Sequence, residues 1–212
     1  MTEKITMRKV IYSMMVSLDG FIEGPNRELD WHIIDEELHR FVNDQQSEFD
    51  TYLYGRRLYE VMTYWETADK NPSSPEYELE FARIWKSMPK IVFSKTLEQI
   101  QENARLVRDN IVEEITKLKQ QPGKNMDLGG PNIASTFVQL GLIDEYRLFI
   151  QPVVLGSGTS FFPALDEKIN LRLVETHTFG SGVVYLRYQS TDKGQEQLHH
   201  ERYGDEQQAA SS

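Results

Sequence analysis

The chain has 212 residues, no cysteine, and 23 Lys+Arg against 33 Asp+Glu, for a formal net charge of −10. That length allows one large domain or two small ones, and the missing thiols exclude disulfides and thiolate chemistry. So acidic a surface repels nucleic-acid backbones, which leaves small anionic ligands, wherever basic side chains gather locally.

The first twenty residues mix acid and base around short apolar stretches, unlike a signal peptide. No window approaches the roughly 18 apolar residues of a membrane span. A cytoplasmic protein without a membrane partner is expected. Residues 10–18, VIYSMMVSL, read as a strand buried on both faces and ended by the Asp19-Gly20 turn. A polar loop with Gly24-Pro25-Asn26 follows, then a helix from near Asp35 with Leu38, Phe41 and Val42 on one side. TYLYG (51–55) is a strand closed by glycine, and Leu58, Val61, Met62 and Trp65 place a helix after it. Ser74-Pro75 reads as the N-cap and first position of a further helix, which Pro89 stops.

KIVFS (90–94) and ARLVR (104–108) are strands, and residues 111–120 are helical. Residues 127–142, DLGGPNIASTFVQLGL, give a short strand, a Gly-Gly-Pro junction and a helix. YRLFIQPVVLG and LRLVETHTFGSGVVYLRYQ supply three more strands, the last two joined through Gly180-Ser181-Gly182. Strands alternating with helices indicate parallel pairing, and the closing hairpin makes the sheet mixed. The expected architecture is one α/β domain over residues 1–188, followed by a polar tail at 189–212.

Three junctions stand out, because parallel sheets bind ligands beyond their strand ends. At the first, Gly55 ends a strand and Arg56 and Arg57 open a helix, suited to phosphate unless both are ordinary surface charges. At the second, Ser94, Lys95 and Thr96 offer two hydroxyls and an ammonium, although polar residues follow most strands. At the third, Gly129 and Gly130 allow close backbone approach, and Pro131 suits a first helical turn. The G-x-G-x-x-G pattern of a Rossmann site is missing.

The motifs VSLDGFIEG (16–24), YLYGRRLYEVM (52–62), KIVFSKTL (90–97), DLGGPNIASTF (127–137) and LIDEYRLFIQPVVLGSGTSFF (142–162) together resemble the dihydrofolate reductase-like superfamily. Within it, the chain is similar to the C-terminal reductase domain of bacterial riboflavin-biosynthesis deaminase-reductases. The resemblance implies an oxidoreductase that uses NADPH on a small-molecule substrate, and a homodimer. It places Val16 and Ile22 against the nicotinamide, with Asp19 in the turn around it. Gly55, Arg56 and Arg57 fall at the phosphates, Ser94 and Lys95 at the adenosine end, and Leu128 through Ile133 (Gly129, Gly130, Pro131, Asn132) at the pyrophosphate. Trp31 falls at the substrate, and Asp35 or Glu36 at the substrate-binding acid, with a bound water as the other proton source.

The motifs also depart from true dihydrofolate reductases, which carry Thr where Leu58 stands, Gly at Pro131 and Arg at Asn132. A pterin, a flavin precursor or a small carbonyl compound is therefore the expected substrate class, rather than dihydrofolate. Two rival readings accompany this one. One is a non-catalytic binding protein of the same fold. The other is a metal-dependent hydrolase built on Asp30, His32, Asp35 and His39, where acids and imidazoles have ligand-like spacing; His199-His200 is a weaker metal candidate.

Overall fold

The computed structural model describes residues 7–191. The tail histidines His199 and His200 lie outside the described residues, as does nearly all of the 189–212 segment. Ten strands and five helices follow one another: β1 (Val10–Ser17), β2 (Phe21–Glu23), α1 (Glu36–Gln45), β3 (Phe49–Gly55), α2 (Arg56–Met62), α3 (Glu76–Ser87), β4 (Lys90–Phe93), β5 (Ala104–Val107), α4 (Ile111–Gln120), β6 (Asn125–Gly129), α5 (Pro131–Gln139), β7 (Glu145–Gln151), β8 (Thr159–Ser160), β9 (Leu171–Thr178) and β10 (Val184–Ser190). The main sheet has eight strands in the order β5-β4-β3-β6-β1-β7-β10-β9. Pairing is parallel from β5 to β7, and β10 runs antiparallel to both β7 and β9. This is the mixed, mostly parallel α/β sheet expected of a dihydrofolate reductase-like fold.

Side-chain alternation along the strands supplies both faces of the sheet. Val10, Tyr12 and Val16 of β1 pack with Ile115 and Leu118 of α4 and with Ala134 and Phe137 of α5. Ile11 points the other way, into a cluster with Phe81 and Trp85 of α3. The sheet thus lies between two helical layers, and its central strands are covered on both sides.

Local structure departs from the sequence expectations in a few places. Pro75 is the N-cap of α3 rather than its first residue; its backbone is extended and its carbonyl accepts from Glu78 and Leu79 at 3.0 and 3.2 Å. β2 and β8 form a separate two-stranded sheet. At three and two residues they are too short to show a period. β10 continues to Ser190, two residues beyond the boundary drawn at 188, and Thr191 N still donates to Asn170 O at 3.0 Å. β7 finds cover on both faces within the chain. Arg147 of β7 is fully buried and pairs with Glu145 at 2.8 Å and Glu48 at 2.6 Å. The strand that lacks cover is β9, where Leu173 and Val174 are 48% and 41% exposed.

Candidate functional site

A cavity of about 540 Å³ opens at the C-terminal ends of the central parallel strands. One part of its wall is the β6–α5 junction. Leu128 is buried in the sheet and does not line the cavity. A Cβ on Gly129 would stand 2.4 Å from Leu58 Cδ2, so glycine here lets α2 lie against the strand end. Gly130 has φ +102, in the region side chains avoid, and accepts from Ala134 N at 3.0 Å to start α5. Pro131 takes the first helical position, as expected, and Gly130, Pro131, Asn132, Ile133 and Thr136 face the cavity. The paired glycines thus have a packing role as well as offering a ligand open backbone. Leu58, where true dihydrofolate reductases carry Thr, is the residue that imposes the packing role.

The β3–α2 junction forms the adjoining wall. A Cβ on Gly55 would meet Ile133 Cγ2 at 3.2 Å. Arg56 lies at the rim, its Nε donating to Glu60 Oε1 at 2.7 Å and its Nη1 to Thr96 Oγ1 at 3.0 Å. Arg57 turns the other way and grips Glu23 of β2 through two hydrogen bonds, one of 2.7 Å to Oε1. Thr159 of β8 donates to the same oxygen at 2.8 Å. These bonds, that from Arg57 foremost, hold the Glu23 carboxyl below its ordinary range, so it stays ionised. Ser94 Oγ is engaged locally by the amides of Thr96 and Leu97, and Lys95 is exposed beside Asp109 at 3.6 Å. Neither lines the cavity; this junction reaches it through the Thr96 hydroxyl on Arg56.

On the β1–α1 side, Ile22 faces the cavity, whereas Val16 is buried behind the lining. Asp19 secures the turn: it accepts from Ser17 Oγ at 2.7 Å, Leu155 N at 3.1 Å and Gly156 N at 2.7 Å. The Ser17 bond, with the two amides, brings its carboxyl down to about 2. Trp31 Nε1 donates to Glu28 O at 3.0 Å. Asp35 is the N-cap of α1, accepting from Leu38 N at 2.9 Å, and Glu36 is an exposed partner of Arg40 at 2.8 Å. None of Trp31, Asp35 and Glu36 lines the cavity. His39 packs among Tyr77, Phe81 and Trp65 instead of turning toward Asp35.

Comparison with known proteins supplies the family. The profile of the RibD C-terminal domain matches residues 8–185. The chain belongs to the RibD C-terminal domain family. It is 42% identical over 189 residues to the uncharacterized protein YyaP of Bacillus subtilis (strain 168), covering 89% of this chain and 98% of that one. Its fold is similar to a deaminase/5-amino-6-(5-phosphoribosylamino)uracil reductase from Thermotoga maritima, at 16% identity and a TM-score of 0.60. That match covers 87% of this chain and 57% of the other. It is also similar in fold to the dihydrofolate reductase of Enterococcus faecalis, solved with NADP(H), at 15% identity and a TM-score of 0.58, covering 87% and 97%. Among the described residues, no helix is long and apolar enough to cross a membrane.

In this RibD C-terminal domain the cavity also has lining to which the sequence assigned no site role: Met14, Glu23, Arg27, Leu29, Val61 and Phe93. Met14 was within reach of pattern reasoning, since it shares a strand face with Val16. Glu23 and Arg27 were not, because β2 and the loop after it show no period.

Proposed function

We propose that the protein is an NADPH-dependent reductase transferring a hydride to a small heterocycle of pterin or flavin-precursor type, or to a small carbonyl compound. The cavity at the strand ends supports this reading most directly. It joins an apolar lining suited to a flat ring (Met14, Ile22, Leu58, Phe93) to a rim of guanidiniums and open helix-start backbone suited to phosphates. The residues fit the cofactor: Gly130 leaves the approach to Asn132 and Ile133 free of a side chain, and Arg56 stands where a 2′-phosphate would gain a forked donor. NADPH, when bound, would supply the hydride. The chain would orient the ring, with Ile22 and Met14 keeping water from one side of it.

Proton delivery falls to water in this reading. Glu23 is held ionised by Arg57 and Thr159, Glu60 pairs with Arg56, Asp35 caps α1, and Glu36 pairs with Arg40. The test is NADPH oxidation with purified protein and a panel of pterin, flavin-precursor and carbonyl acceptors. Turnover with any of them upholds the reading. Tight NADPH binding without turnover would favour a binding protein of the same fold, and absence of NADPH binding would end the reductase reading.

For assembly, we infer a homodimer through β9, the exposed edge strand with two apolar side chains in water. Sedimentation at micromolar concentration should give a dimer, and charging the strand with Leu173→Lys should give a monomer. A monomeric wild type removes the inference.

A further inference from the structure

The loop between β2 and α1 holds Arg27 in a left-handed backbone conformation, φ 71. The other non-glycine residue with positive φ among those described is Asn110, φ 59, a type that tolerates this region. An arginine gains nothing local there, because its Cβ crowds the following carbonyl. The bonds that shape the loop are Arg27 N to Gly24 O at 2.9 Å, Gly24 N to Glu28 O at 3.1 Å, and Asn26 N and Nδ2 to the Glu28 carboxylate at 2.9 and 2.8 Å. None uses the Arg27 side chain, and glycine would serve every one of them.

Arg27 is exposed and stands in the lining of the cavity. The two other guanidiniums there are engaged, Arg56 by Glu60 and Arg57 by Glu23. Among the described residues Arg27 has no hydrogen-bonded or ion-paired partner for its guanidinium. Its charge is nonetheless felt at Glu23, whose ionised state it supports from a distance. Glu23 therefore sits in the field of two arginines, one bonded and one not. The Glu23 carboxylate takes up the charge of Arg57, which leaves Arg27 as the lining cation free to meet a ligand anion.

We propose that Arg27 is a ligand-binding residue whose guanidinium takes a phosphate of the molecule that fills the cavity. The site follows from the cavity and the unengaged side chain; the identity of the ligand rests on the reductase reading. The phosphate belongs either to the pyrophosphate of the dinucleotide or to a phosphorylated substrate. The backbone strain at Arg27 is then the cost of aiming a cation into the cavity from a tight turn.

The experiment compares wild type with Arg27→Gly and Arg27→Lys by thermal shift and fluorescence titration. The probes are NADPH, NADH, inorganic pyrophosphate and ribose 5-phosphate. Arg27→Gly relieves the left-handed strain, so its melting temperature should be no lower than that of wild type. Its affinity for the phosphate probe should fall about 10-fold or more, with Arg27→Lys between the two. Equal losses for NADPH and NADH assign the contact to the pyrophosphate they share. A loss confined to ribose 5-phosphate assigns it to the substrate. If wild type binds neither dinucleotide, the cofactor reading fails alone. Inorganic pyrophosphate and ribose 5-phosphate then decide Arg27: stabilisation lost in Arg27→Gly upholds the site, and stabilisation retained overturns it. Unchanged affinity for every probe, or no binding of any probe by wild type, also overturns the proposal. A lower melting temperature in Arg27→Gly with unchanged affinity would make the arginine a structural residue.

Discussion

The parallel sheet carries a hollow at each end, and the two differ in whether the chain engages every guanidinium and ammonium that lines them. The hollow at the N-terminal ends of β3, β4 and β5 is of comparable size, about 710 Å³ beside about 540 Å³. Its basic groups are engaged by the chain itself. Lys90, 1% exposed, donates to Trp85 O at 2.6 Å and Met88 O at 2.9 Å, and its ammonium lies 3.9 Å from the Trp85 ring centroid. Arg8 donates to Lys124 O at 2.7 Å and Thr51 Oγ1 at 2.9 Å, and Arg105 pairs with Glu114. At the C-terminal hollow β3 and β6 end in glycines, Arg56 and Arg57 are held by Glu60 and Glu23, and Arg27 is unengaged among the described residues. Volume does not single out either end; polar groups left over after the fold has used what it needs favour the C-terminal one, the end on which the proposed reading rests.

Lys90→Ala tests that contrast most severely. The Trp85 and Met88 carbonyls at the end of α3 would lose a buried charged donor, at a cost of about 2–4 kcal/mol measured by urea unfolding. NADPH affinity of the folded variant should not change. A variant as stable as wild type, or one that folds but loses the cofactor, would break the comparison.

Arg56→Ala addresses the other end. It should weaken NADPH binding about 10- to 100-fold, since a hydrogen bond to a charged group contributes roughly 1.5–3 kcal/mol. NADH binding should change several-fold less, which a fluorescence titration of both cofactors resolves. Because Arg56 is half-exposed and tied only to Glu60 and Thr96, stability should hardly move. Equal losses for the two cofactors would shift Arg56 to the shared pyrophosphate.

How much of this was legible beforehand depends on what each feature needs. β1, β3, β4 and α4 were readable because apolar runs, glycine stops and helical spacing act over five or more residues. The Gly129-Gly130-Pro131 junction was readable because few residue types permit its backbone. Asp35 was rightly placed at a helix start, but its oxygen is taken by the Leu38 amide, a use that spacing does not separate from catalysis. The pairing of Arg57 with Glu23 was not readable. Adjacent arginines look alike in a string, and only the path of β2 brings Glu23 to one and not the other.

That difference gives the next test. Arg57→Ala leaves Glu23, 6% exposed in its side chain, with Thr159 as its remaining donor. The arginine is 37% exposed, so solvent partly replaces it, and the loss should be about 1–2 kcal/mol of stability. Its effect on NADPH should be smaller than that of Arg56→Ala. Arg57→Ala with Glu23→Gln should recover part of the stability, because the buried charge is removed with its partner. Thermal melts of the two variants and the pair decide this; no recovery would mean that the arginine acts through its own packing.

The smallest effect is the response to acid, which should come from neither end. The imidazole of His39 packs 4.9 Å from the Tyr77 ring and 5.8 Å from that of Phe81, and burial lowers its affinity for a proton although Glu78 and Glu80 pull the other way. Burial likewise lowers that of His32, whose Nε2 is buried without a partner. For a base with a lowered folded value, the unfolded chain takes up the proton first. Stability from these groups is therefore complete above the ordinary imidazole value of 6.5 and declines as pH falls through it. Glu23 and Asp19, with lowered values of their own, contribute stability that is complete above the ordinary carboxylate range and is lost only below it, so their window is separate from that of the imidazoles. Burial raises the Asp127 carboxyl to about 7, and over the range from ordinary carboxylate values to about pH 7 this acts in the opposite sense to the imidazoles. The histidine contribution is therefore read as a difference: from about pH 7 to about 5.5 the urea midpoint of His39→Phe, which keeps a ring in the aromatic cluster, should gain on that of wild type, while NADPH affinity stays unchanged. An unaltered slope in the variant would assign the response to His32 or to groups outside this cluster.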